Sequence, residues 1–417
     1  MEYGLIGEHL KHSFSKDIHE FIADYRYEIK ELAPKELEAF ILNKNYKAIN
    51  VTIPYKEKVI PYLDDISSEA KEVGAVNTIV NKNGKLYGFN TDVYGFIALV
   101  KKINVNFEKQ NVLILGNGGA SKAVKAASKM LKANKIYIAS VNNEDNTVSY
   151  QDIYQLDKVD IIVNTTPVGM YPNEQQDLII DLDRFPDLKG VIDVVYNPIR
   201  TRLVLEAQKR NIPSSGGLYM LVAQAYNAIE IFLDKNLDKS LLEKAYKMIL
   251  LKKTNIVLIG MPSSGKSVIA KKLKDRLNLK ILDMDNEIVS HMKMPITDIF
   301  ASFGEAKFRE LEHQVIIDNH QYTPLIISTG GGVIKRADNI DLLKHNGVLF
   351  FINRDIKKLV ATSDRPLSNN RNDLEKLYEE RLPLYRKYMD VEVDNNGDIE
   401  DTVNTIMLGV GYEDFCH

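Results

Sequence analysis

Residues 255–277, NIVLIGMPSSGKSVIAKKLKDRL, read as a buried strand, a glycine-rich loop and a helix in immediate succession. Four apolar residues follow Asn255 without alternation, which suits a strand covered on both faces. The spacing Gly260-x4-Gly265-Lys266-Ser267 then opens a lysine-rich helix. In that context the loop, including Ser263 and Ser264, is a phosphate cradle. Backbone N–H groups and the helix N-terminus surround a β-phosphate, Lys266 reaches the β and γ oxygens, and Ser267 offers its hydroxyl to Mg²⁺. Residues 111–131, NVLILGNGGASKAVKAASKML, repeat the strand–turn–helix order. Here Gly116, Gly118, Gly119 and Ala120 lie where a pyrophosphate would rest on the helix. Further apolar runs, KIYIAS, VDIIVNTT and GVIDVVY before residue 250 and PLIISTG and GVLFFI after it, alternate with helical stretches. The pattern predicts an α/β fold twice over, with parallel sheets. The boundary is expected near residues 250–254, giving units at 1–252 and 253–417 with no Gly/Ser tether between them.

The chain has 417 residues, too many for one ordinary core. Its 54 basic and 57 acidic residues leave a formal charge of −3. That balance provides no field to gather nucleic acid or an anionic membrane surface, so small molecules are the expected partners. The single cysteine, Cys416, excludes an intramolecular disulfide framework and a cysteine zinc cluster. The polar, charged start MEYGLIGEHLKHSFS and the lack of an apolar run of about 18 residues predict a cytoplasmic protein. Oligomeric state is left open.

In the second unit, KILDMDNEI sets Asp283 and Asp285 two residues apart at a strand end, where both carboxylates would point to one side. GEAKFRELEHQVI places Arg309 and Glu312 one helical turn apart, which suits an ion pair or a guanidinium held for a carboxylate. STGGGVI supplies Gly330, Gly331 and Gly332 after a strand, where backbone can approach a ligand. Taken singly, the aspartates read as a solvated turn and the Arg–Glu pair as a helix surface. Together and in this order, with DRPL and ERLPLY, these elements resemble shikimate kinase from residue 253 to about 410. The resemblance implies ATP and shikimate as substrates and Mg²⁺ as cofactor. It further implies that Ser267 and Asp283 hold the metal, that Asp285 is the base at the shikimate hydroxyl, and that Arg309 and Arg381 grip the carboxylate. Gly331 would line the substrate site, and Arg365 would belong to a lid over ATP. The lid departs from the family at Ser368, and Ala361 stands where an arginine beside the adenine is usual.

In the first unit, AINVTIPYKEKV offers Lys56 and GFNTDVYGF offers Asp92. Singly these read as a first-turn surface lysine and a helix N-cap. Beside a nicotinamide they could supply a proton to a carbonyl, the lysine as acid and the carboxylate orienting it. HSFS brings Ser13 and Ser15 to one face of an extended stretch, and GGLYMLVAQAYNAIEIF puts Met220 and Gln224 on one helix face. The ordered series N-V-T-x-P-x-K, A-V-N-T, N-T-D-x-x-G, G-x-GGA, N-x-T-P-x-G-M, D-x-x-Y-x-P and G-x-x-M-L-x-x-Q resembles shikimate dehydrogenase over residues 1 to about 250. The resemblance implies two lobes, a substrate lobe at about 1–100 and 218–250 and a Rossmann-type dinucleotide lobe at about 101–217. Ser13, Ser15, Thr52, Asn77, Tyr196 and Gln224 would bind 3-dehydroshikimate, and Lys56 and Asp92 would be catalytic. Gly116, Gly118, Gly119, Ala120, Thr165, Gly217 and Met220 would lie around the cofactor, NADP by family default with NAD as the alternative. The family's N-R-T reads Ser140-Val141-Asn142, so the arginine that pairs with the 2′-phosphate is replaced by Val141.

The sequence reading is therefore a bifunctional enzyme, in which one half reduces 3-dehydroshikimate to shikimate and the other phosphorylates shikimate with MgATP. Two alternatives compete: a non-enzymatic sensor of these ligands, and a quinate or shikimate oxidoreductase carrying an impaired kinase domain.

Overall fold

The computed structural model describes residues 1–10, 13–142, 144–176, 178–360 and 370–412. Its strands are β1 (Tyr3–Gly7), β2 (Tyr27–Glu31), β3 (Ala48–Val51), β4 (Asp65–Ile66), β5 (Thr78–Lys82), β6 (Lys85–Phe89), β7 (Asn111–Leu115), β8 (Lys135–Ser140) and β9 (Val148–Ser149). They continue with β10 (Ile161–Asn164), β11 (Gly190–Asp193), β12 (Ser214–Ser215), β13 (Asn255–Ile259), β14 (Lys280–Asp283), β15 (Leu325–Ser328), β16 (Gly347–Asn353) and β17 (Val391–Asp394). The chain divides into two compact units, Met1–Ile249 and Leu250–His417. The division falls inside the helix Ser240–Lys253.

The first unit contains two six-stranded sheets. One runs β2-β1-β3-β5-β6-β4 and is mixed, because β5 pairs antiparallel with both β3 and β6 while β1 pairs parallel with β2 and β3. The other runs β12-β11-β10-β7-β8-β9 and is parallel throughout. Its strand order reverses between β7 and β10, where a doubly wound sheet opens a crevice at its carboxyl edge. The glycine turn after β7 lies at that edge. The helices Asp92–Lys102 and Leu218–Leu233 pack so closely that a methyl group on Gly95 would lie 2.6 Å from the Met220 carbonyl oxygen.

The second unit is one parallel sheet, β14-β15-β13-β16-β17. Its central strands explain the unbroken apolar runs. Val257, Ile259, Leu349 and Phe351 enter one buried cluster, whereas Ile256, Leu258, Phe350 and Ile352 enter a second. Successive side chains of a strand point to opposite faces, so a sheet with helices on both sides needs an apolar residue at every position. Phe351 also stacks on Tyr385 at 5.0 Å, an aromatic pair that contributes about 1 kcal/mol beyond its buried area. Both units are α/β. No described helix is long and apolar enough to cross a membrane.

Candidate active sites

In the first unit a cavity of 280 Å³ is lined by Ser13, Ser15, Thr52, Lys56, Asn77, Tyr196 and Gln224, seven residues drawn from separate parts of the sequence. At its wall Lys56 Nζ donates to Asp92 Oδ2 at 2.7 Å. Asn77 Nδ2 donates at 3.0 Å to the other carboxylate oxygen, so the carboxylate is fixed from two sides. Asp92 is the first residue of its helix, and Thr91 occupies the cap position. A carboxylate in the first turn is favoured by the helix dipole, and here it faces the lysine instead of capping. Ser13 donates to Ser15 Oγ at 3.0 Å, but Ser15 begins the helix Ser15–Ile22, so the two hydroxyls meet through a helix start and not along an extended stretch.

Sequence reasoning missed His9, His19 and Asn50 in the same wall. His19 is buried and stacked on Tyr27 at 4.0 Å, and its Nδ1 lies 2.7 Å from the Tyr25 hydroxyl. Burial pushes its imidazole down to about 3, against the pull of a hydrogen bond to Asn50. Tyr27 in turn donates to Asn50 Oδ1 at 2.7 Å. Its position in the amphipathic HSFSKDIHEFI pattern is the only sequence signal His19 gives.

The glycine turn has the shape of a dinucleotide cradle. Gly116 has φ +96°, and a methyl group there would lie 2.8 Å from Thr166 Cγ2. Gly118 and Gly119 face open space at the start of the helix Gly119–Met130, which also contains Ala120. Thr165 closes the turn by donating to the Leu115 carbonyl oxygen at 2.7 Å. Gly217 precedes the helix Leu218–Leu233 and lies against the Val194 carbonyl, with Met220 buried one turn on. Val141 is 86% exposed.

In the second unit a cavity of 580 Å³ brings together Ser263, Ser264, Gly265, Lys266, Ser267, Asp283, Asp285, Arg309, Gly331 and Arg381. Gly260 lies behind it, its carbonyl accepting from Lys266 Nζ at 2.9 Å. Asp283 ends β14 and caps the helix Met284–Met292, accepting from Asn286 N at 3.2 Å. Asp285 belongs to the first turn of that helix, so helix geometry, not strand alternation, brings the two carboxylates to one cavity.

The three glycines after β15 are where charged groups converge. A methyl group on Gly330 would lie 2.7 Å from Glu312 Oε1 and 3.1 Å from Asp285 Oδ1. On Gly331 it would lie 3.3 Å from Arg381 Nη1, and on Gly332 it would overlap the Arg309 guanidinium. The two arginines are not equivalent. Arg309 is held by Glu305 at 3.1 Å and Glu312 at 2.9 Å. Arg381 is 2% exposed, and its Nε and Nη2 have no hydrogen-bond partner. Buried donors of this kind are costly unless something accepts from them. Burial pushes the Glu312 carboxyl up to about 7 against the opposing pull of Arg309, and the Asp285 charge adds to the rise.

Arg354 and Asn395 were missed. Arg354 lines the cavity beside the phosphate loop, with a buried Nε lacking a partner. Asn395 donates to the Ser264 carbonyl at 2.7 Å, bracing the loop from β17's end. Neither lies in a motif. Arg365, Ala361, Ser368 and Cys416 lie outside the described residues.

Comparison with known proteins gives two family matches, a shikimate dehydrogenase substrate binding domain at residues 5–79 and a shikimate kinase at residues 262–409. A shikimate dehydrogenase (NADP(+)) of Clostridium beijerinckii is 39% identical over 264 residues, spanning 59% of this chain and 97% of its own. The chain belongs to the shikimate dehydrogenase family. A shikimate kinase domain follows the dehydrogenase unit, and the pair mark a bifunctional shikimate-pathway enzyme.

Solved dehydrogenases agree. A chorismate mutase/shikimate 5-dehydrogenase fusion protein from Clostridium acetobutylicum is 34% identical with a TM-score of 0.56, covering 59% of this chain and 96% of its own. A Listeria monocytogenes shikimate 5-dehydrogenase in complex with shikimate and NAD is 30% identical with a TM-score of 0.54, covering 58% and 95%.

Proposed function

We propose that the first unit reduces 3-dehydroshikimate to shikimate and that the second phosphorylates shikimate to shikimate 3-phosphate with MgATP. The observation that carries the first half is the Lys56–Asp92 pair, 2.7 Å apart at the wall of a cavity whose lining includes the hydroxyls of Ser13, Ser15 and Thr52 and the amides of Asn77 and Gln224. The relatives are named for NADP(+), and one solved relative holds NAD. A reduced nicotinamide dinucleotide bound at the Gly116–Gly119 turn supplies a hydride. Ser13, Ser15, Thr52, Asn77, Tyr196 and Gln224 bind and orient the substrate's carboxylate and hydroxyls. Lys56 delivers a proton to the carbonyl oxygen as it becomes a hydroxyl. Asp92, pinned by Asn77, holds the ammonium in place and stabilises its charge. Thr165, Gly217 and Met220 border the cofactor.

In the second unit the unpaired Arg381 donors carry the reading, because a buried guanidinium with two free N–H directions fits a planar carboxylate. Arg309 and Gly331 complete that end of the site. Asp285 accepts the proton of the attacking hydroxyl, and Lys266 neutralises charge on the transferring phosphoryl group. Ser267 and Asp283 fit Mg²⁺, which takes few protein oxygens alongside water and phosphate.

The test supplies 3-dehydroshikimate with NADPH or NADH, with and without MgATP, and identifies products by mass. Shikimate is expected without ATP and shikimate 3-phosphate with it. Shikimate alone in both cases would refute the kinase assignment, absence of shikimate without ATP would refute the dehydrogenase assignment, and failure to phosphorylate added shikimate would refute the kinase as well.

A further inference from the structure

The relatives' names do not settle which dinucleotide this chain prefers, but the loop after β8 carries an answer. In a doubly wound sheet the end of the second strand faces the adenosine ribose, where an acidic side chain accepts from the 2′-hydroxyl or an arginine pairs with the 2′-phosphate. Here that strand is β8, next to β7. The position that carries arginine in the resembling family is Val141, whose side chain is exposed.

Three residues further, Glu144 turns back onto the glycine turn, and Asn117 Nδ2 donates to its carboxylate. Short-range bonds hold the backbone on either side of Glu144. Glu144 N donates to the Asn142 carbonyl at 2.8 Å, Thr147 Oγ1 donates to the Glu144 carbonyl at 2.7 Å, and Ser140 Oγ accepts from Asn142 N at 3.2 Å. The carboxylate therefore sits between the end of β8 and the pyrophosphate turn. Its partner is a neutral amide, so its charge is not cancelled.

Among the described residues no lysine or arginine pairs with it. Between Lys135 and Lys158 the sequence has no lysine or arginine, while it has Glu144, Asp145, Asp152 and Asp157. The lysine in the first turn of the following helix, Lys122, is engaged with Glu57 at 2.6 Å. A 2′-phosphate placed here would meet a carboxylate and no guanidinium, a like-charge juxtaposition that disfavours it. A ribose 2′-hydroxyl would meet an acceptor.

We propose that Glu144 is the residue that selects the dinucleotide and that the dehydrogenase unit takes NAD(H) over NADP(H). The inference rests on reading this unit as a dinucleotide-binding oxidoreductase.

The test measures binding of NADH and of NADPH to the full chain by the fluorescence of the reduced nicotinamide, together with reduction of 3-dehydroshikimate by each. NADH is expected to bind at least about tenfold more tightly. Glu144→Gln should narrow that ratio, and Val141→Arg combined with Glu144→Ala should reverse it. NADPH binding equally or more tightly to the unaltered chain would overturn the inference, as would a ratio that Glu144→Gln leaves unchanged. Selective NADH binding without reduction of 3-dehydroshikimate would overturn the proposed function and leave this inference standing. Reduction that prefers NADPH would do the reverse, and binding of neither dinucleotide would overturn both.

Discussion

Arg381 and Arg309 both reach the glycines after β15, yet only Arg381 keeps buried donors without a partner. This difference predicts different consequences of mutation. Arg381→Lys replaces a planar fork by a point charge, and the KM for shikimate should rise about tenfold or more with the KM for ATP little changed. Steady-state kinetics with each substrate varied separately will check it. His19 makes a prediction of a different kind. Its folded imidazole lies near 3, below the ordinary value of 6.5. The unfolded chain therefore binds more protons between those values, and stability is lost as pH falls from about 6.5 towards 3. Above 6.5 the group is neutral in both states and contributes no slope. His19→Gln should flatten that part of the stability profile, measured by denaturant unfolding across the range. The imidazole should also leave no inflection near neutral pH in the dehydrogenase rate profile.

The strand–glycine–helix unit is the element that recurs in both halves, and each copy has its own steric demands. Gly116→Ala forces a methyl group at φ +96° towards Thr166. Such strain costs about 1–3 kcal/mol. The variant is expected to bind the dinucleotide more weakly and to melt earlier in its first transition, with kinase activity intact. Calorimetry with parallel assays of both activities separates these effects. Both glycine turns were legible in the sequence because turn chemistry is local. The glycine either follows a strand and opens a helix or it does not. The elements around them were less legible. Asp285 was read as a strand-end residue and proves to be helical, because two residues of sequence cannot show where a strand stops and a capped helix starts. Ser15 was misjudged for the same reason.

At the scale of the whole molecule, two units with separate cavities predict separable activities. Lys56→Ala should abolish shikimate formation, with a loss of about 10²–10⁴ in rate, and leave the kinase unaffected. Lys266→Ala should let shikimate accumulate. Mixing the two variant proteins should restore conversion of 3-dehydroshikimate to shikimate 3-phosphate, which a mass-resolved time course will show. The two units match different family models, residues 5–79 in the first and residues 262–409 in the second.

By itself the sequence determined the α/β class, the two glycine turns between strand and helix and many of the polar residues that line the two cavities. Strand burial, helix period and glycine turns are written in neighbouring residues, and long ordered motif series carry a resemblance without coordinates. Only the tertiary structure decided which groups face each other. Lys56 and Asp92 are 36 positions apart and meet at 2.7 Å, and Asn117 meets Glu144 across 27 positions. It also decided that Arg381 is buried with unpaired donors, and that Arg354 and Asn395 border the phosphate loop. Such contacts depend on how helices and strands pack, and packing is a property of the folded chain that no local pattern encodes.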